Sequence, residues 1–211
     1  NINKKGNFLK RLIFDEILST FLINSKIRKT VKKFKKEKKI FDDNFSNDIK
    51  KRLNYSLTTD QNNALNEINS DLKSEEKMFR LLQGDVGSGK TIVALISCFN
   101  VVNSGYQVAF MAPTEILAYQ HYKLAQSLIK DKMKIGFLTS KTDYSERKKI
   151  INDLETNEIK ILFGTHSVFQ EKISYNKLGL VVIDEQHKFG VKQRKKLSDK
   201  GGKNCDVLVM S

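Results

Sequence analysis

The chain has 211 residues, 39% of them hydrophobic, and a formal net charge of +14, enough for one α/β domain with an added element. No apolar run approaches the ~20 residues a membrane-spanning helix needs, so no membrane partner is expected, and Cys98 and Cys205 fit no metal or redox spacing, which suits a reducing compartment. The charge is uneven: residues 1–56 hold 16 of the 38 Lys/Arg but only 6 of the 24 Asp/Glu.

A basic segment ahead of a near-neutral remainder points to a polyanionic partner, although 32 lysines against 6 arginines is also what AT-rich coding produces. The chain opens on Asn1 and stops at Met210-Ser211 just after a strand-like run, so it reads as a piece of a longer protein.

Residues 8–39 read as helical. Phe8, Leu9, Leu12, Ile13, Ile17, Leu18, Phe21 and Leu22 recur on one face, and the stripe weakens through Ile27, Val31 and Phe34. The first half is expected to pack on a neighbouring domain. In the second half, the lysines between Lys26 and Lys39 fit either a solvated face or an arm along nucleic-acid phosphates. Residues 40–56 are polar and irregular, with Asp42-Asp43-Asn44 as a turn. The expected division is a basic helical connector over 1–52 and an α/β domain over 53–211. Thr58 and Gln61 have capping-box spacing, and Ala64, Leu65, Ile68 and Leu72 form the stripe of the helix that follows. Gln61 can cap that helix, read an adenine edge with its amide, or do both, with Tyr55 placed to stack on the base.

Met78–Leu82 reads as a short strand. It leads into Gly84-Asp85-Val86-Gly87-Ser88-Gly89-Lys90-Thr91, which fits G-x-x-x-x-G-K-[ST], the phosphate-binding loop. The glycines let backbone N–H groups converge on an anion, and the helix starting near Lys90 adds its positive end. Lys90 can reach the β- and γ-phosphates, and Thr91 can offer a hydroxyl to Mg²⁺. Strand and helix signals then alternate. Gln107–Met111, Lys134–Leu138, Ile159–Phe163, Leu178–Ile183 and Val207–Met210 read as strands. Thr114–Lys130 reads as a helix with Ile116, Leu117, Tyr119, Leu124 and Leu128 as its buried positions, and Ser145–Leu154 as a helix capped by Ser145. This alternation predicts a mostly parallel sheet flanked by helices.

Ligands of such sheets bind at the carboxyl ends of the strands. Asp184 and Glu185 follow the apolar strand 178–183 at such an end. Asp184 suits Mg²⁺ opposite Thr91, and Glu185 suits orienting or deprotonating an attacking water. His187, on the same turn, could relay the γ-phosphate state, whereas His121 reads as an ordinary helix residue. The stretches Pro113-Thr114-Glu115 and Gly164-Thr165-His166 also lie at strand ends. They can be capped turns or can grip a nucleic-acid backbone.

These segments stand in the order of superfamily 2 helicase motifs I, Ia, Ib and II. Further wording resembles the RecG family of bacterial ATP-dependent DNA helicases: Arg80-Leu81-Leu82-Gln83, Ala118-Tyr119-Gln120-His121-Tyr122, and Asp184 through Arg194. Arg11–Glu16 and Leu57–Gln61 are similar to the family's segments before motif I. The resemblance implies a first RecA-like motor lobe, preceded by a helical connector and truncated at motif III. In it Lys90, Thr91, Asp184 and Glu185 serve ATP and Mg²⁺, and Gln61 contacts adenine. Pro113, Thr114, Glu115, Gly164, Thr165 and His166 contact DNA, while His187 and Ser211 couple hydrolysis to movement.

The implied partners are branched DNA, a second RecA-like lobe carrying an arginine finger, a wedge domain and a single-strand-binding protein. The implied location is the cytoplasm, at the nucleoid. Without the second lobe, residues 1–211 are expected to bind ATP weakly and not to unwind DNA. Lys188 stands where family members often carry Arg. The alternatives are a transcription-repair coupling translocase, whose motor is similar, and a nucleotide-gated binding module without motor activity. A small-molecule kinase is disfavoured for want of an acceptor pocket.

Overall fold

The computed structural model describes residues 11, 14–15, 18–19, 21–22, 25, 35–42, 44–130, 132–170, 172–184 and 202–211. Six strands form one sheet: β1 (Phe79–Leu82), β2 (Gln107–Met111), β3 (Lys134–Leu138), β4 (Ile159–Gly164), β5 (Leu178–Ile183) and β6 (Asp206–Met210). Their order is β1-β6-β5-β2-β4-β3, and every neighbouring pair is parallel. The helices are α1 (Asn44–Lys51), α2 (Thr59–Lys73), α3 (Lys90–Asn103), α4 (Glu115–Ile129) and α5 (Tyr144–Glu155), with a 3-10 turn at His166–Phe169. The expected RecA-like architecture is borne out, and the expected strands fall within a residue of those observed.

The sheet's central strands are buried on both faces, as their unbroken apolar runs require. Alternation along each strand sends Val108, Phe110, Leu180, Val182 and Leu208 into the core under α1–α4. Ala109, Met111, Val181, Ile183 and Val209 enter the opposite core beneath α5. Among the described residues no helix is long and apolar enough to cross a membrane.

Four local expectations are corrected. Residues 36–39, the end of the expected helix 8–39, are irregular rather than helical, and Lys35 forms an antiparallel bridge with Glu76. The polar stretch 40–56 contains helix α1, whose Ile49 is fully buried in the same core as α3. Asp143, not Ser145, is the N-cap of α5. Finally, α4 buries Ala118, His121, Ala125, Leu128 and Ile129. The larger Ile116, Tyr119 and Leu124 are exposed by 72%, 47% and 38%. Alanines let the helix approach the sheet closely, and the bulky side chains fall to its rim.

Two lysines of the basic segment are structural. Lys36 and Lys39 both donate to the buried Asp206 at the start of β6, each at 2.6 Å. Lys35 and Lys38 pair at the surface with Glu75. Phe14, Leu18, Phe21 and Leu22 are exposed. The expected arm residues Lys26, Arg28, Lys29, Lys32 and Lys33 lie outside the described residues.

Candidate active site

Because all six strands run the same way, their carboxyl ends share one edge. Along it stand the phosphate loop after β1, Ser211 after β6, Asp184 after β5, Ala112-Pro113 after β2 and Gly164 at the end of β4. Backbone bonds join these ends. Ser211 N–H donates to Leu82 O at 3.1 Å, and Gly84 N–H to Ser211 O at 3.2 Å. Asp184 N–H donates to Met111 O at 2.9 Å, and Ala112 N–H to Gly164 O at 3.0 Å.

The loop turns through Gly87 at φ 83° and Gly89 at φ 80°, a region in which a side chain is strained. Residues Gln83–Ser88 are exposed. Lys90 Nζ donates to Gly84 O at 2.6 Å and Asp85 O at 2.8 Å. The ammonium therefore already sits across the loop, where an anion would find it. Gly89 is the N-cap of α3 and supplies no side-chain cap, which leaves the helix's positive end open to a phosphate.

Gln61 does more than cap. Its Oε1 accepts from Thr58 N at 2.9 Å while its own N–H donates to Thr58 Oγ1, the expected capping box. Its Nε2 donates to Ser88 O in the loop at 2.8 Å. A Cβ at Gly89 would collide with that amide, so the glycine makes room for the bridge between α2 and the loop. Nearby, a groove of about 550 Å³ is lined by Lys51, Leu53, Tyr55, Leu57 and Asn62 among others.

Asp184 is buried, with 8% exposure. Its Oδ2 lies 2.7 Å from Nε2 of His121, on the inner face of α4. A carboxylate only accepts, so Nε2 is the donor. The His121 ring packs on Phe110 with centroids 5.0 Å apart. His121 is thus not an ordinary helix residue. Its spacing from Thr114, Ala118 and Ala125 was the available signal, masked by the larger hydrophobics on the other face. The carboxylate of Asp184 and the hydroxyl of Thr91 are hard oxygen donors of the kind Mg²⁺ takes. Such an ion is ordinarily held by one or two protein groups plus phosphates and water, so this donor set fits it.

The two turns are locally satisfied. Thr114 Oγ1 caps α4 by accepting from Leu117 N at 3.3 Å. Glu115 pairs with Lys141 at 2.9 Å, and the hydrogen bond from Lys141 holds its carboxyl below the ordinary range. Thr165 is half-buried beside Ser167 and His166 is exposed. Gly164 is buried, and a Cβ there would strike the Leu138 carbonyl, so close strand approach requires a glycine here. Glu185 and His187 lie outside the described residues.

A parallel sheet with a phosphate loop and an acidic strand end on one edge is what a family comparison can decide. The model of the DEAD/DEAH box helicase family matches residues 58–211. The chain belongs to the DEAD/DEAH box helicase family. Membership implies ATP binding, typically with Mg²⁺. The chain is 45% identical over 204 residues to the ATP-dependent DNA helicase RecG of Aquifex aeolicus, covering 96% of the chain and 26% of the relative. It is 43% identical over 203 residues to RecG of Thermotoga maritima, with the same coverage. Among solved structures it is similar to RecG bound to a three-way DNA junction, at 39% identity and TM-score 0.79, covering 96% of the chain and 27% of that one. The likeness to RecG read from the motifs is borne out. The chain spans about a quarter of the length of these relatives.

Proposed function

We propose that this chain is the first motor lobe of a RecG-like, ATP-dependent helicase that remodels branched DNA in recombination and repair. Its reactions would be fork regression, Holliday-junction migration and R-loop unwinding. The observation that carries the reading is the shared edge: phosphate loop, Asp184 and both Thr-bearing turns stand side by side at the strand ends. The similarity to a RecG solved on a three-way junction supports it.

In this reading the loop N–H groups and Lys90 hold the β- and γ-phosphates, and Asp85, Val86, Gly87 and Ser88 shape the cradle. Lys90 exchanges its two carbonyl partners for phosphate oxygens. Thr91 and Asp184 hold Mg²⁺, which supplies charge neutralisation when bound. Glu185 orients the attacking water. Gln61 and Tyr55 receive the adenine, and for this the Gln61 amide adds to, or trades, its bond with Ser88. Pro113, Thr114, Glu115, Gly164, Thr165 and His166 grip the DNA backbone. His187 and Ser211 couple hydrolysis to movement, Ser211 through its backbone bonds to Leu82 and Gly84. A second lobe with an arginine finger and a wedge domain complete the machine, which works in the cytoplasm at the nucleoid, beside single-strand-binding protein.

The test is Lys90→Ala in the full-length protein. Fork-stimulated ATP hydrolysis should fall by roughly 10²–10³-fold, the usual cost of removing one preorganised donor from developing charge, and unwinding should fall with it. The folded fraction should not change, because among the described residues the Lys90 ammonium bonds only to the exposed loop. Fork unwinding that survives Lys90→Ala would overturn the motor reading.

A further inference from the structure

The unit formed by β2, the turn 112–114 and α4 holds Asp184 at two points. Met111 O accepts from the Asp184 backbone N–H at 2.9 Å. Ten residues further on, His121 Nε2 meets the Asp184 side chain at 2.7 Å. Both side chains of that second contact are about one-tenth exposed, and Phe110 backs the imidazole. Water therefore competes little for the bond. It occupies Oδ2, and no partner of Oδ1 is found among the described residues. Between the two anchors lie Pro113, Thr114 and Glu115, with Thr114 capping the helix that carries His121.

We propose that His121 is the positioning residue of Asp184, and that α4 thereby ties the grip on DNA at its first turn to the placement of the magnesium-binding carboxylate. The inference rests on the functional reading above and adds a residue and a route to it. Second partners of this kind fix a ligand's rotamer. They leave one oxygen for the ion, and their loss typically costs roughly 10–100-fold in metal affinity. The route is short and rigid. A shift of α4 driven at Thr114 moves His121, two helical turns along, as one body, and with it the oxygen that His121 holds. Linkage then requires the reverse effect: an ion and nucleotide that fix Asp184 change the affinity for DNA by the same factor.

The experiment uses the full-length protein with Mn²⁺ in place of Mg²⁺ and a non-hydrolysable ATP analogue. Mn²⁺ affinity is read by electron paramagnetic resonance, and three-way-junction affinity by fluorescence anisotropy with and without the metal and nucleotide. His121→Phe keeps a ring beside Phe110 and removes the donor, while His121→Gln keeps an N–H donor. His121→Phe is expected to weaken Mn²⁺ binding about tenfold, the lower end for loss of such a partner, with His121→Gln within about threefold of wild type. The nucleotide-induced change in junction affinity should shrink towards none in His121→Phe and persist in His121→Gln.

Wild-type Mn²⁺ affinity in His121→Phe overturns the positioning role. So does an equal loss in both variants, which would mark a packing residue. Intact nucleotide–DNA coupling in His121→Phe overturns the route through α4. Should the Phe variant not fold, a tenfold or greater loss in His121→Gln overturns the donor role by itself. Asp184→Asn separates the two levels. If Asp184→Asn leaves Mn²⁺ binding intact, the site reading has failed. If Asp184→Asn abolishes binding while His121→Phe does not, only this inference has failed.

Discussion

Asp184 and Asp206 stand on neighbouring parallel strands, one at the carboxyl edge of the sheet and the other at the amino edge. Asp206 is fully buried. Its Oδ2 accepts from Lys36 and Lys39, and its Oδ1 accepts from Met78 N–H at 2.7 Å. The lysines are satisfied in turn. Lys36 also donates to Asp71 O and Leu72 O, and Lys39 to Asn204 O. Burial holds the Lys36 ammonium below its ordinary value, against the pull of Asp206. Asp184, by contrast, has one side-chain partner among the described residues, at the edge that also carries the exposed phosphate loop. The same residue type is saturated at one edge and left with binding capacity at the other. The amino edge fastens residues 36–39 to the sheet, and the carboxyl edge is the one proposed to take ligands.

The largest expected effect separates these roles. Asp206→Asn strands two buried ammonium groups and should cost about 3–5 kcal/mol, as breaking a buried ion pair does. It is read as a lower urea midpoint at unchanged slope, and nucleotide affinity of the folded fraction should not move. Asp184→Asn should do the reverse. An amide oxygen still accepts from His121, so stability should change by less than about 1 kcal/mol while metal–nucleotide binding is lost.

Ala125→Leu falls between. Ala125 is fully buried where α4 meets the sheet, and overpacking there should cost about 1–3 kcal/mol. Unlike Asp206→Asn, it should also lower ATP turnover, because the displaced helix carries His121. Parallel losses of stability and turnover in calorimetry and a coupled ATPase assay would place α4 with the carboxyl edge. Loss of stability alone would place it with the scaffold.

The smallest effect is on thiol labelling. Cys205 adjoins Asp206, and burial pushes its thiol up to about 12. Cys98 is buried in α3 and is raised for the same reason. Neither should react with a thiol reagent at pH 8 in the native protein. In Asp206→Asn, Cys205 should label faster than Cys98, as local opening of the amino edge would require. Equal rates would mean that the cluster does not fasten that edge independently.

The carboxyl edge was more legible in the sequence than the amino edge. The phosphate loop is contiguous, and its spacing alone defines the turn. Asp184 follows an unbroken apolar strand that can only be central. Lys36 and Lys39 read as part of a solvated face or a nucleic-acid arm because their partner lies about 170 residues away, and no local pattern carries such a pairing. Helix α1 was missed because NFSNDIKK has just two large apolar residues, Phe45 and Ile49. The inner face of α4 was misplaced for a related reason. Burial there selects smallness at Ala118 and Ala125, whereas hydrophobicity favours Ile116, Tyr119 and Leu124, which the structure leaves outside. His121 was hidden with that face.

The strand order has a consequence for how the protein is made. β1, which leads into the phosphate loop, is first in the sheet's sequence but pairs with β6, which is last. Phe79 lies opposite Val207, about 130 residues later. At about 5–20 residues per second, a ribosome needs on the order of ten seconds to supply that partner. Until then β1 has no strand neighbour among the described residues, and Gly84 lacks the Ser211 carbonyl that frames its turn. The phosphate loop is therefore translated well before the strand that frames it. In a nascent chain the frame of the phosphate loop is complete only when β6 slots between β1 and β5.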